Sequence, residues 1–207
     1  MPSNQKMLRN DFGNWRGEFF ELNAPESLLT DNLLMRLSAL NKGVRMERTA
    51  DGRLTCLPPV GAIYSNLNAK LTGRLGQWDE TAGLGMGFGS CVGFHLPNSA
   101  VLSPDISWLR QDRWDVLTKK QQEGFAPLCP DFVGEIVSPP QTVGELQAKM
   151  REYIENGAKL GWLIGPQTHR IEIYRVGQGV EILDNPVSLS GEDVLPGFVL
   201  NLQGMLF

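Results

Sequence analysis

Histidine is nearly missing from this chain of 207 residues, which has two, and cysteine is scarce at three. His95 and His169 stand far apart without ligand-like spacing. Cys56, Cys91 and Cys129 form no CxxC or Cys/His pattern, so nothing reads as a structural zinc site. Three widely spaced cysteines in largely apolar surroundings also argue against a disulfide framework. They predict reduced thiols in or near the core of a cytoplasmic protein. Long apolar runs are lacking, since no stretch approaches the ~18–20 residues of a membrane span. The opening MPSNQKMLRNDF lacks the apolar centre of a signal peptide. No G-x-S-x-G and no ordered Ser/His/Asp set is found, which speaks against acyl-transfer hydrolysis. Nor is positive charge in excess. With 19 Lys and Arg against 23 Asp and Glu the net charge is −4, which argues against strong nonspecific binding of nucleic acid but permits a local basic patch.

What is present fits one mixed α/β domain over residues 1–207. The chain is long enough for a sizeable core, and 42% hydrophobic with 20% charged residues is ordinary for a globular protein. Leu29, Leu33, Leu37 and Leu40 share one helical face, with Pro25 and Ser27 before it and Gly43 after it. Val44–Leu57 reads as a β-hairpin turning at Asp51-Gly52, with Glu47 on its first arm. Ile63, Leu67, Leu71, Leu75 and Trp78 mark a second amphipathic helix. The glycine-rich Gly83–Leu96 alternates like a twisted strand and opens no helix, so it is not a phosphate loop. Thr142 and Glu145 have capping-box spacing ahead of a helix with apolar Leu146, Met150, Tyr153 and Ile154. The segments LGWLIG, RIEIYRVG and GVEIL read as strands. The apolar tail LPGFVLNLQGMLF is expected to pack on the body or on a partner.

Two carboxylates break apolar runs. Glu135 lies within FVGEIV, and Asp105 follows Pro104 at the head of ISWL. A charge placed so is costly unless it is paired, hydrogen-bonded or bound to a metal. If the two strands are neighbours, the acids can converge, and each then raises the other's pKa unless a cation stands between them. Oxygen donors of this kind suit Mg²⁺ or Mn²⁺, which activates water and offsets charge on a phosphodiester. Lys149 flanks the buried face of the helix that follows, from where its ammonium can reach the acids.

In order, SPDISWL, CPDFVGEIVSP, LQAKMREYIENGAKLGWLI and IEIYR resemble the Uma-type family of restriction endonucleases, within the PD-(D/E)XK nuclease superfamily. The resemblance runs from about Glu47 to SGEDVLPGFVL. It implies a restriction-endonuclease-like mixed β-sheet flanked by helices, preceded by an N-terminal helix and hairpin, and Mg²⁺-dependent cleavage of DNA. By position it makes Asp105 and Glu135 metal-binding acids and Glu47 an accessory acid. The superfamily pattern puts a lysine two residues after the second acid, where this chain has Val137. The resemblance implies that Lys149 replaces it.

Two other readings stand beside the nuclease. One is a nucleic-acid-binding module that kept the fold without turnover. The other is a structural or oligomerising domain in which Asp105, Glu135 and Lys149 form a buried salt-bridge network. The apolar tail and the superfamily's palindrome-cutting relatives lead to the expectation of a homodimer. Trp108, Trp114 and Trp162 read as core residues rather than base-stacking platforms, and Asn66 and Asn68 as a solvated helix face.

Overall fold

The computed structural model describes residues 20–22 and 29–205. In chain order the elements are β1 (Phe20–Leu22), α1 (Asp31–Leu40), β2 (Arg45–Arg48), β3 (Leu54–Leu57), α2 (Ala62–Ala82), β4 (Gly85–Gly89), β5 (Phe94–His95), β6 (Val101–Leu102) and β7 (Ile106–Arg110). Two short helices follow, α3 (Gln111–Asp115) and α4 (Lys119–Glu123). Then come β8 (Phe132–Ile136), α5 (Val143–Glu155), β9 (Leu160–Gly165), β10 (Arg170–Arg175), β11 (Glu181–Asp184), β12 (Ser188–Ser190) and β13 (Val199–Asn201).

Local chemistry accounts for the boundaries. The Thr30 hydroxyl caps α1 by accepting the Leu33 N–H at 3.3 Å. That start turns Leu34 inward, while Leu33 and Leu40 are exposed, so the face expected from the leucine spacing is rotated. The expected start signals Pro25 and Ser27 lie outside the described residues. The hairpin of β2 and β3 forms as the Asp51-Gly52 turn predicts, with Arg45 opposite Leu57 and Arg48 opposite Leu54. Helix α2 buries Leu67, Leu71 and Leu75, leaves Ile63 exposed, and ends at Gly83 in the left-handed region at φ 62°. Thr142 and Glu145 close the predicted capping box at the head of α5.

The strands form three sheets. One runs β1-β3-β2-β6-β5, the largest runs β11-β10-β9-β8-β7-β4, and β12 pairs with β13. The large sheet is mixed: β8 and β9 are parallel, whereas β7 and β8 are antiparallel. Strand β8 is buried on both faces, which explains its unbroken apolar character. Phe132 and Ile136 point into a core shared with α2 and the C-terminal residues Leu195, Phe198, Leu200 and Leu202. Val133 points to the opposite face, where Leu146, Met150 and Tyr153 of α5 pack. The tail's apolar side chains thus fill the chain's own core, and the residues that suggested a dimer are largely used within the chain.

Gly161, lacking a side chain, leaves room on the sheet for the tip of Met150 from α5. A Cβ there would run into the Met150 methyl, with Val133 and Tyr174 also in contact. The expectation of buried thiols holds for Cys56 and Cys129, but Cys91 is exposed. It sits in the bend between β4 and β5, where the chain turns outside the core. No helix among the described residues is long and apolar enough to cross a membrane.

Candidate active site

Alternation along β8 sends Glu135 to the same face as Val133, toward α5. Asp105 is not inside a strand, as expected, but in the bend just before β7. The pairing of Ile106 with Gly134, continued by one step, nevertheless sets Asp105 opposite Glu135. The Ile136 N–H donates to Asp105 Oδ2 at 2.9 Å and ties the carboxylate to the end of β8. The Asp105 carbonyl accepts from Asn68 Nδ2 of α2 at 3.1 Å. Asn68 is therefore partly buried and committed to the site rather than to a solvated face.

Lys149 stands three residues after Leu146 and four before Tyr153, one turn from each on α5. Contrary to the usual fate of a flanking lysine, it is buried. Its ammonium lies 2.8 Å from Glu47 Oε1 and 3.0 Å from Glu135 Oε1. Glu47 comes from β2, and its Oε1 also accepts the Ser103 N–H at 2.9 Å. All four residues singled out in the sequence thus meet in one place. A residue not singled out joins them: Arg45 Nη1 lies 2.8 Å from Asp105 Oδ1, and its Nε lies 3.9 Å from Glu47 Oε1. Its position two residues before Glu47 was the available signal, because such a pair shares one face of a strand. Tyr153, read only as a core residue, donates from its hydroxyl to Glu135 Oε1 at 3.2 Å.

Three carboxylates here face two cations, and the imbalance falls on Glu135. Burial pushes its carboxyl up to about 7, Lys149 opposes this, and Asp105 adds to it. Burial would also raise Glu47, but Lys149 and Arg45 outweigh it and hold Glu47 below the ordinary carboxylate range. Lys149 stays charged because Glu135 and Glu47 together overcome a burial that alone would lower its pKa. Glu135 Oε2 is buried without a hydrogen-bond partner. Among the described residues no group of three or more His, Cys, Asp or Glu side chains stands as a ready metal site. Lys149 and Arg45 bridge the carboxylates instead.

Above the charged cluster opens a cleft of about 520 Å³, bordered by Arg45, Asn68, Asp105 and Ile136. Glu47, Glu135 and Lys149 do not line it and lie beneath its floor. The neighbouring histidine is not part of the cluster. His95 Nδ1 lies 2.6 Å from Asp31 Oδ2, and Arg48 also pairs with Asp31, which pins α1 to the smaller sheet.

The fold has relatives. A solved structure described as a "putative nuclease belonging to DUF820" from Anabaena variabilis ATCC 29413 superposes with a TM-score of 0.67 at 19% identity, over 78% of this chain and 89% of that one. This likeness shows the same nuclease-like fold. No curated protein matches the chain. Residues 31–203 match the Uma2 family, described as "Putative restriction endonuclease", and the chain belongs to that family.

Proposed function

We propose that residues 1–207 act as one domain, a metal-dependent endonuclease that hydrolyses phosphodiester bonds of DNA. The observation that carries this is Glu135: a fully buried carboxylate with one oxygen unpartnered, beside a second carboxylate at the edge of a cleft. A structural ion-pair network has no use for an excess negative charge, whereas a cation site does. The donor set fits Mg²⁺ or Mn²⁺, which prefer carboxylate oxygens and water. Asp105 and Glu135 would hold the ion, and Glu47 would offer Oε2, since its Oε1 is engaged by Lys149 and Ser103. Such an ion supplies Lewis-acid polarisation of the phosphate and a water of lowered pKa.

The chain's own residues do the rest. Hydrolysis forms a P–O bond to the oxygen of water and breaks the P–O bond to a sugar oxygen, while negative charge grows on the phosphoryl group. Arg45, at the cleft, draws the phosphate toward Asp105 and offsets that charge. Lys149 holds Glu135 through Oε1, leaves Oε2 for the ion, and places a second positive charge below the reacting group. It does so from a helix, where the superfamily pattern has a strand position occupied here by Val137.

The test is nicking of plasmid DNA in Mg²⁺ or Mn²⁺ by the wild type and by Glu135→Gln. Metal-dependent nicking that is lost in the variant supports the proposal, and equal nicking by both proteins sinks it. One second reading has direct support, because Lys149 and Arg45 already pair all three acids at 2.8–3.9 Å. In that reading the cluster is only structural. Mg²⁺ then fails to raise the melting temperature of the wild type, whereas a nuclease site gives a rise that Glu135→Gln abolishes.

A further inference from the structure

We propose that the cleft over Asp105 receives a single unpaired nucleotide, so that the chain acts on single-stranded or locally opened nucleic acid rather than on an intact duplex. The inference rests on the nuclease reading for the identity of the polymer. The choice of strand state comes from the cleft.

Depth is the first consideration. The side chains of Glu47, Lys149 and Glu135 are only 5%, 9% and 0% exposed, and that of Asp105 only 15%. Asp105 is thus the one acid that the cleft reaches, and the other two lie behind it, not on a surface across which a helix could lie. A cleft of about 520 Å³ is in the ~300–1,000 Å³ range of small-molecule pockets. A phosphate reaches Asp105 only if the attached sugar and base enter with it.

Charge is the second. A protein that holds duplex DNA by its backbone neutralises several phosphates with Lys and Arg. Among the described residues lining this cleft, Arg45 is the only cation and Asp105 the only anion. That pair suits one phosphate. The remaining walls are largely apolar, with Tyr64 and Phe125 offering ring surfaces and Pro58 and Pro140 lying nearby. Both rings are fixed in place. Tyr64 is anchored on α2 and bonded through its hydroxyl by Gln167, and the Phe125 ring lies against Gly93, where a Cβ would meet it at 2.5 Å. Aromatic rings that share one cleft with a single guanidinium offer a platform for a splayed base and a grip for its phosphate, which is how unpaired bases are bound without sequence readout.

The test is fluorescence anisotropy with the wild-type protein in excess chelator, where no turnover consumes the probe. It compares a labelled single-stranded oligonucleotide with the blunt duplex of the same sequence. The single strand is expected to bind at least tenfold tighter. Tyr64→Ala and Phe125→Leu are each expected to weaken it by roughly fivefold or more, the loss of one stacked base. Tyr64→Phe keeps the ring and should retain binding, which separates stacking from a folding defect. Equal or tighter duplex binding overturns the inference. So does unchanged affinity in Tyr64→Ala and Phe125→Leu, or the absence of measurable single-strand binding. Failure of the nuclease reading looks different: neither plasmid nor the single-stranded oligonucleotide is cut in Mg²⁺ or Mn²⁺, while single-strand binding still depends on Tyr64. Glu135-dependent nicking by a protein that binds duplex as tightly as single strand keeps the nuclease and removes this inference.

Discussion

Asp131 and Glu135 stand four residues apart at the two ends of β8, and both carboxylates are almost wholly buried. They are otherwise opposites. Asp131 meets Lys159 Nζ at 2.8 Å and Arg113 Nη1 at 3.0 Å, and accepts the Arg110 N–H at 3.0 Å. Burial works against its ionised form, but Lys159, the Arg110 N–H and Arg113 outweigh it and hold its carboxyl below the usual range. Glu135 shares one ammonium with Glu47, keeps an oxygen without a partner and is pushed up to about 7. The first carboxylate has a cation against each oxygen, with Lys159 meeting Oδ1 as an ion pair though without a hydrogen bond, and it ties β7, α3 and the start of β9 together. The second is answered at Oε1 alone, by a shared ammonium and the Tyr153 hydroxyl, and its Oε2 has neither ion pair nor hydrogen bond. Burial alone does not mark a functional acid; burial with an unmet charge does.

This contrast can be broken or sharpened by experiment. The largest expected effect is on cleavage. Glu135→Gln is expected to lower metal-dependent nicking by about 10²–10³-fold or more, on the scale of losing one preorganised charge-stabilising group, whereas Asp131→Asn leaves the specific activity of the folded protein within severalfold. Next comes Lys149→Met, which strips two buried carboxylates of their ammonium and should cost about 3–5 kcal/mol in urea unfolding. Mg²⁺ should restore part of that loss if the acids bind it.

A smaller effect carries the sharper lesson, because the two ends of β8 should respond with opposite sign. Asp131→Asn is expected to lose about 2 kcal/mol, since charge-assisted hydrogen bonds are given up; the partial exposure of Lys159 and Arg113 holds the figure down. Glu135→Gln without metal at pH 8 is expected to be neutral or to gain on the order of 1–3 kcal/mol, because an unfavourably ionised group is removed. The same denaturation curves measure both, and a loss in both variants would erase the distinction. The smallest effect is in pH dependence. A carboxyl whose folded pKa is lowered contributes fully above its unfolded value of about 3.9, and the contribution fades as pH falls through the folded value. The stability gap between wild type and Asp131→Asn should therefore be constant from pH 7 to pH 5 and shrink toward pH 3.

The sequence made the element order legible wherever the chemistry is local. The Asp51-Gly52 turn, the Thr142–Glu145 capping box and Gly43 after α1 act within a few residues, and the structure has all three. The short apolar run around Glu135 also pointed to its strand, buried on both faces. What was hidden depends on partners far along the chain. The face of α1 is chosen by the Thr30 cap and by the small sheet it covers, and leucine spacing alone missed the rotation. Asn68 looked solvated because its partner, the Asp105 carbonyl, lies 37 residues away. Arg45 was overlooked although the two-residue step to Glu47 placed both on one face. The tail's apolar pattern called for packing on the body or on a partner, and the sheet face toward α2 supplies the first.

The docking of α5 has a mechanical meaning. Asp105 and Glu135 are tied together through β7 and β8, whereas the ammonium that serves Glu135 is carried on the separate helix α5. Gly161, one strand over, leaves room for the tip of Met150 from that helix, and a methyl group added there would first displace the flexible end of Met150. The acids and their ammonium thus ride on different elements, and the site is complete only when helix and sheet are docked.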